Sequence, residues 1–312
     1  MPETFVVEQK LMDTTIIQLD TILSEAESDT LGVFENERIE TVTWLPVEEK
    51  GLYGYYDPEK DEFIIKGQYE EAGLFSDGWA AVKKNDQWMF IDSNNQVMLK
   101  TDYEIRIEHH ELSGEVLPCG FSFGLCPVWN NDKAGFIDKQ GNVVVPLKYR
   151  YVGMFYEGLA VFSIPDANAD EPEWESLSGI LDSKGREIVK PIYDHISDYE
   201  NGFARVFNGN DLGFLNRRGK LAFPMRKVMA WWFDEGLAFM TDLDEEGGYD
   251  YPYTFYVVDT TGKVVLPGPY EYAGRFYNGK APTYIDGKGC VEINTKGEVL
   301  RKLGDWDCQE GC

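Results

Sequence analysis

Phe121-Ser122-Phe123-Gly124-Leu125-Cys126-Pro127-Val128 is followed, nine residues after its valine, by the Ile137 of Gly135-Phe136-Ile137-Asp138. Gly141-Asn142-Val143-Val144-Val145-Pro146 and Tyr149 then complete the fragment. The pattern is an aromatic, a glycine, an apolar pair and a valine, then a glycine-aromatic-apolar-Asp quartet, a turn glycine, a β-branched run and a tyrosine. It returns along the chain about every 34 residues, a period that marks a tandem array of small β units.

Two rulers test the repeat. Its apolar-acidic marker recurs as Tyr56-Asp57, Ile91-Asp92, Ile137-Asp138, Leu181-Asp182, Leu215-Asn216, Val258-Asp259 and Ile293-Asn294. The next opening aromatic follows by 18 residues in four cases: Phe155, Tyr199, Phe233 and Phe276. Independently, the acidic marker precedes a tyrosine by 11 residues at Tyr103, Tyr149, Tyr193 and Tyr270. The count is seven units, the first worn down to Trp44-Leu45-Pro46-Val47. Residues 1–40 lack the pattern and hold ten acids against Lys10 and Arg38, which predicts an N-terminal cap. The array spans 41–300, and 301–312 form a C-terminal tail.

Within a unit, apolar residues alternate or form short β-branched runs, and no stretch keeps a confident helical period. Three strands are expected per unit, as at Leu159–Phe162, Gly179–Asp182 and Arg186–Val189. Between the second and third comes Asp-x-x-Gly, where Asp accepts from the turn's own backbone and Gly supplies positive φ. Asn216 and Asn294 replace the acid without loss of turn chemistry. A calcium ladder would lose charge at each replacement, so turn formation is the better account. Gly54, Gly135 and Gly213 predict close backbone approach between neighbours. Pro146, Pro191, Pro224 and Pro267 are expected to end pairing for want of an N–H.

These residues resemble the WG repeat family, a bacterial tandem β-repeat whose pattern is similar to F-x-x-G-L-A-x-V, W-G-(F/Y)-I-D, x-x-G, a β-branched run, Pro and Tyr. The resemblance covers roughly residues 43 to 300. It departs at the name-giving dipeptide: Met89 follows Trp88, and Tyr53, Ala134 and Leu212 stand where Trp would precede Gly. It implies an all-β array of three-stranded meanders without shared catalytic residues, and a role as a binding module, in some members near secreted toxins. A solenoid-like or superhelical array is expected, because 34 residues are few for a four-stranded blade; a closed, propeller-like ring of seven units is the alternative.

Composition narrows function. With 55 acidic residues against 29 basic ones the net charge is −26. Nucleic acid and acidic membrane surfaces are poor ligands for such a chain. No long apolar run or signal-like N-terminus is seen, which suggests a cytoplasmic protein. Five cysteines, Cys119, Cys126, Cys290, Cys308 and Cys312, match no zinc spacing and are expected to be reduced thiols, with a Cys308–Cys312 loop as the alternative. His109-His110-Glu111, inside an insertion at 104–115, point apart on an extended chain and do not chelate. No cofactor and no metal are expected.

The array breaks its own rule twice more. The nine-residue link from first to second strand grows to 20 between Val161 and Leu181, and to 19 between Phe239 and Val258. Both insertions are acidic and aromatic: Asp166, Asp170, Glu171, Glu173, Trp174 and Glu175 in one, Asp242, Asp244, Glu245, Glu246, Asp250 and Tyr251 in the other. Loops enlarged at equivalent positions leave the same rim, and such insertions mark binding faces. The reading is a non-enzymatic protein-binding module with an acidic rim, an immunity or antitoxin-like protein that masks a basic toxin. The alternative is a carbohydrate-binding or glycan-active protein using rim acids and aromatics.

Overall fold

The computed structural model describes residues 42–107, 119–169, 175–243 and 254–304. The cap expected over 1–40 and His109, His110 and Glu111 lie outside them. Every regular element described is a strand, and the strands form seven antiparallel sheets, one for each unit read from the sequence.

The sheets span 45–69, 71–101, 125–149, 151–193, 195–216, 228–270 and 272–302. Three have three strands and four have four. In the fourth unit the central strands Leu159–Pro165 and Ser176–Asp182 pair with Glu187–Tyr193, as expected. The fourth strand is a two-residue piece, Tyr151–Val152, paired on the other edge. A strand that short explains how 34 residues accommodate a fourth.

The turn reading holds in six units. Asp138 Oδ1 accepts from the amides of Gln140 at 2.9 Å and Asn142 at 2.8 Å. Asn216 does the same with its amide oxygen, toward Arg218 at 2.9 Å and Lys220 at 3.2 Å. Asp92, Asp182, Asp259 and Asn294 repeat it. The Asn142 side chain, with the turn amides, holds the Asp138 carboxyl below its ordinary range; the Thr261 hydroxyl leads the same effect at Asp259.

Two expectations need correction. Gly54 and Gly135 mark close approach to the third strand of their own sheet, not to a neighbouring unit. A Cβ would lie 2.3 Å from the Ile65 carbonyl oxygen at Gly54 and 2.4 Å from that of Val145 at Gly135. Pro146, Pro191 and Pro267 also do not end the third strand but lie within it. Pro146 sits inside Val143–Tyr149, where the ladder shifts register between Val145 and Tyr149. Pairing skips the missing N–H at this irregularity and resumes.

The core lies between sheets. Phe136 and Phe155 meet with ring centroids 4.8 Å apart, Phe214 and Phe233 at 4.6 Å, and Phe239 and Phe276 at 5.4 Å. Each pair belongs to consecutive units. Six buried clusters join neighbours from the first–second to the sixth–seventh. Among the described residues no such cluster joins the seventh sheet to the first.

A row of two-residue turns precedes the first long strand of each unit and links one unit to the next. The Gly124 amide donates to Asp77 Oδ2 at 2.9 Å, that of Gly202 to both Glu157 carboxylate oxygens at 3.1 Å, and that of Gly279 to Glu235 Oε2 at 2.8 Å. Arg275 of the seventh unit reaches Asp234 of the sixth and Glu200 of the fifth. Contact across an intervening unit places this row on the inside of the array's curve.

Candidate ligand cleft and rim

A cleft of about 980 Å³ is lined by the fourth and fifth units together with Trp232 of the sixth. The register of the central hairpins explains its opening in the fourth unit. Immediately before the strand glycine, the cross-strand pairs are Glu48/Tyr53, Lys83/Trp88, Trp129/Ala134, Phe207/Leu212 and Tyr284/Cys290 in five units. In the fourth unit the pair is Ser163/Ser178. Five units place at least one long side chain there; the fourth places two hydroxyls, and the missing volume becomes the cleft.

Both serines are buried, at 7% and 6% exposure. Among the described residues neither hydroxyl has a hydrogen-bond partner, and both line the cleft. Ser176, at the foot of the enlarged hairpin, lines it as well.

Arg205 lines the cleft from the face of the fifth sheet that turns toward the sixth unit, the face of Phe207 and Phe214. Its equivalents in the other units are Pro46, Ala81, Pro127, Val161, Phe239 and Pro282, so a cation stands where the array is otherwise uncharged. The guanidinium lies over the Trp232 ring, 3.4 Å from its centroid. Nη1 donates to the Ala230 carbonyl at 3.2 Å, and buried Nε has no partner. Among the described residues no carboxylate lies within salt-bridge distance. Burial, reinforced by the charge of Arg275 and opposed by Glu200, pulls the Arg205 pKa down to about 10. Burial and the nearby Arg205 charge lower that of His195, on the same wall.

The sequence reading did not find this cleft. Its signal was present as a pair of serines at a position where other units are bulky, but the enlarged spacing between them concealed their register. The rim acids it did single out are seen in part. Asp166 Oδ1 accepts from the Asn168 amide at 2.9 Å, the Glu175 carbonyl accepts from Arg150 Nη1 at 3.2 Å, and Asp242 Oδ1 accepts from the Tyr256 hydroxyl at 2.8 Å. Asp170, Glu171, Glu173, Trp174, Asp244, Glu245, Glu246, Asp250 and Tyr251 lie outside the described residues. No group of three or more His, Cys, Asp or Glu with metal-binding geometry occurs among the described residues. Cys119 and Cys126 are buried thiols outside any disulfide, but Cys290 is disulfide-bonded, so the expectation of reduced thiols fails there. Buried at 1% exposure on its strand, Cys290 gave no spacing cue.

The family model for the WG containing repeat matches residues 53–88, 135–164, 179–210 and 257–288. Four stretches of the chain therefore match the pattern of that repeat. Together they touch all seven sheets and include residues that line the cleft. No curated protein matches the chain in sequence. Among solved structures, the chain is similar to one titled "Crystal structure of the eukaryotic initiation factor", with a TM-score of 0.51 and 10% identity over 83% of this chain and 73% of that one. It is more distantly similar to BamB from Moraxella catarrhalis, with a TM-score of 0.39 and 8% identity over 84% and 87% of the two chains. At such identities the likeness concerns the fold alone. A repeat-containing all-β fold of this kind is consistent with a protein-interaction module.

Proposed function

We propose that this WG-repeat chain is a non-enzymatic binding module whose acidic rim engages a basic protein partner, in an immunity or antitoxin-like role. The observation that carries the reading is the charge: 55 acids against 29 bases, with ten acids concentrated in the two enlarged hairpins. Those hairpins leave the fourth and sixth sheets from the same strand ends, after Pro165 and Asp242. A field of one sign at a rim accelerates encounter with an oppositely charged partner and selects against acidic ones.

The repeat itself supports a scaffold role. Its turn acids are occupied by backbone amides and its aromatics by inter-sheet packing, which leaves the irregular segments to make outside contacts. The test is affinity purification with the full chain at 0.1 and 0.5 M salt. A stoichiometric basic protein retained at low salt and released at high salt is expected, because screening falls to roughly 4 Å at the higher concentration. Recovery of no basic protein, or of one indifferent to salt, contradicts the reading.

A further inference from the structure

We propose that the cleft between the fourth and fifth units binds an acidic carbohydrate, with the sugar carboxylate on Arg205 and ring hydroxyls on Ser163 and Ser178. This site is separate from the acidic rim and would stand if the protein partner were never found.

The first ground is available hydrogen-bonding capacity. Ser163 and Ser178 line the cleft, and their hydroxyls make no hydrogen bond to a described residue. A ligand that displaces water from such hydroxyls must bring donors and acceptors of its own. A hydroxyl-rich ligand supplies both at each position, since each serine can give one proton and accept others.

The second ground is Arg205. A guanidinium held flat on an indole and fixed at Nη1 by a carbonyl has surrendered its mobility and much of its water before any ligand arrives. Glu200 lines the same cleft, yet no described carboxylate forms an ion pair with the guanidinium, and its buried Nε has no partner. A planar carboxylate matches the fork of a guanidinium. Asp194 and Asp198 on the same wall, and the chain's charge of −26, work against a dianion such as phosphate and favour a single negative charge.

The third ground is shape. About 980 Å³ is at the upper end of small-molecule sites and has room for several sugar rings. The serines lie within a fully paired hairpin, Ser163 opposite Ser178, so this floor offers side-chain hydroxyls rather than a free backbone edge to a peptide. Tyr151, 41% exposed at the margin, offers a flat apolar surface of the kind that sugar C–H faces cover.

The experiment is calorimetric titration of the full chain with trigalacturonate and with sialyllactose, beside maltotriose as the neutral sugar and inorganic phosphate as the bare anion. At least one acidic sugar is expected to bind, maltotriose and phosphate at least about tenfold more weakly. Arg205→Gln should weaken the acidic sugar by about tenfold or more, and Arg205→Lys by less. Ser178→Phe, which installs a bulk like that of Phe255 in the sixth unit, should abolish binding by filling the cleft. Quenching of Trp232 fluorescence by the sugar gives a second readout on the unmutated chain. No binding of either acidic sugar, equal binding of maltotriose, or unchanged binding in folded Ser178→Phe overturns the proposal.

Discussion

The third and fourth units use the same hairpin for opposite ends. In the third, Trp129 and Ala134 face each other across the strands, Trp129 is 4% exposed, and the surface toward the next unit is closed by packing. In the fourth, Ser163 and Ser178 occupy the equivalent register and the surface opens into a cleft. Their frames agree: each has its glycine pressed against the third strand, its turn acid capped by backbone amides, and a fully buried apolar side chain, Phe136 or Ile180, directly after the glycine. A repeat array can therefore give up packing at one interface while its neighbours keep the chain folded, because each unit leans mainly on the next.

If the frames are equivalent, removing their hearts should cost the same. Phe136→Ala and Ile180→Ala each truncate a fully buried side chain at the same register position, one in the core after the third unit and one in the core after the fourth, and each should lose about 2–5 kcal/mol in urea denaturation. A large loss in the third unit with a small one in the fourth would show that the cleft has loosened its own sheet. Arg275→Met tests the inner row instead. It unpairs Glu200 and largely buried Asp234, and should cost about 1–2 kcal/mol after allowance for solvent at this half-exposed site.

Acid should act on the frame more than on the cleft. The Asp138 and Asp259 carboxyls titrate below their unfolded values, so their contribution is complete above about pH 4 and is lost as pH falls through the lowered values. Thermal unfolding between pH 5 and 2 should show this decline, and Asp259→Asn should flatten it while preserving the turn, as Asn216 and Asn294 do. The smallest effect is expected at the cleft floor. Ser178→Ala removes a hydroxyl that has no described partner and should shift stability by less than about 0.5 kcal/mol. A loss above 1 kcal/mol would mean that the hydroxyl is structural.

Much of the frame was legible in the sequence because spacing encodes it. The apolar-acidic marker located all seven sheets, with the 18- and 11-residue rulers as its check, and the exchange of Asp for Asn identified the turns before any hydrogen bond was seen. What spacing does not encode is register across an enlarged loop. With Val161 and Leu181 twenty residues apart, nothing in the linear order shows that Ser163 faces Ser178, and so the cleft was missed. Arg205 was overlooked for a related reason. It reads as an ordinary surface cation until its equivalents, Pro127 and Val161 among them, are aligned by strand pairing. The rim acids stood out by composition, yet Asp166 and Asp242 are partly engaged within their own hairpins.

The central claim is that regular units are scaffold and the departures carry function. The most direct measurement replaces the hairpin from Ser163 to Ser178 with the third unit's Trp129–Ala134 and compares binding with folding. The regularised chain should unfold at the native temperature or above it, bind no acidic sugar, and retain less of the basic partner at 0.1 M salt. A regularised chain that folds and keeps both activities unchanged would contradict the account.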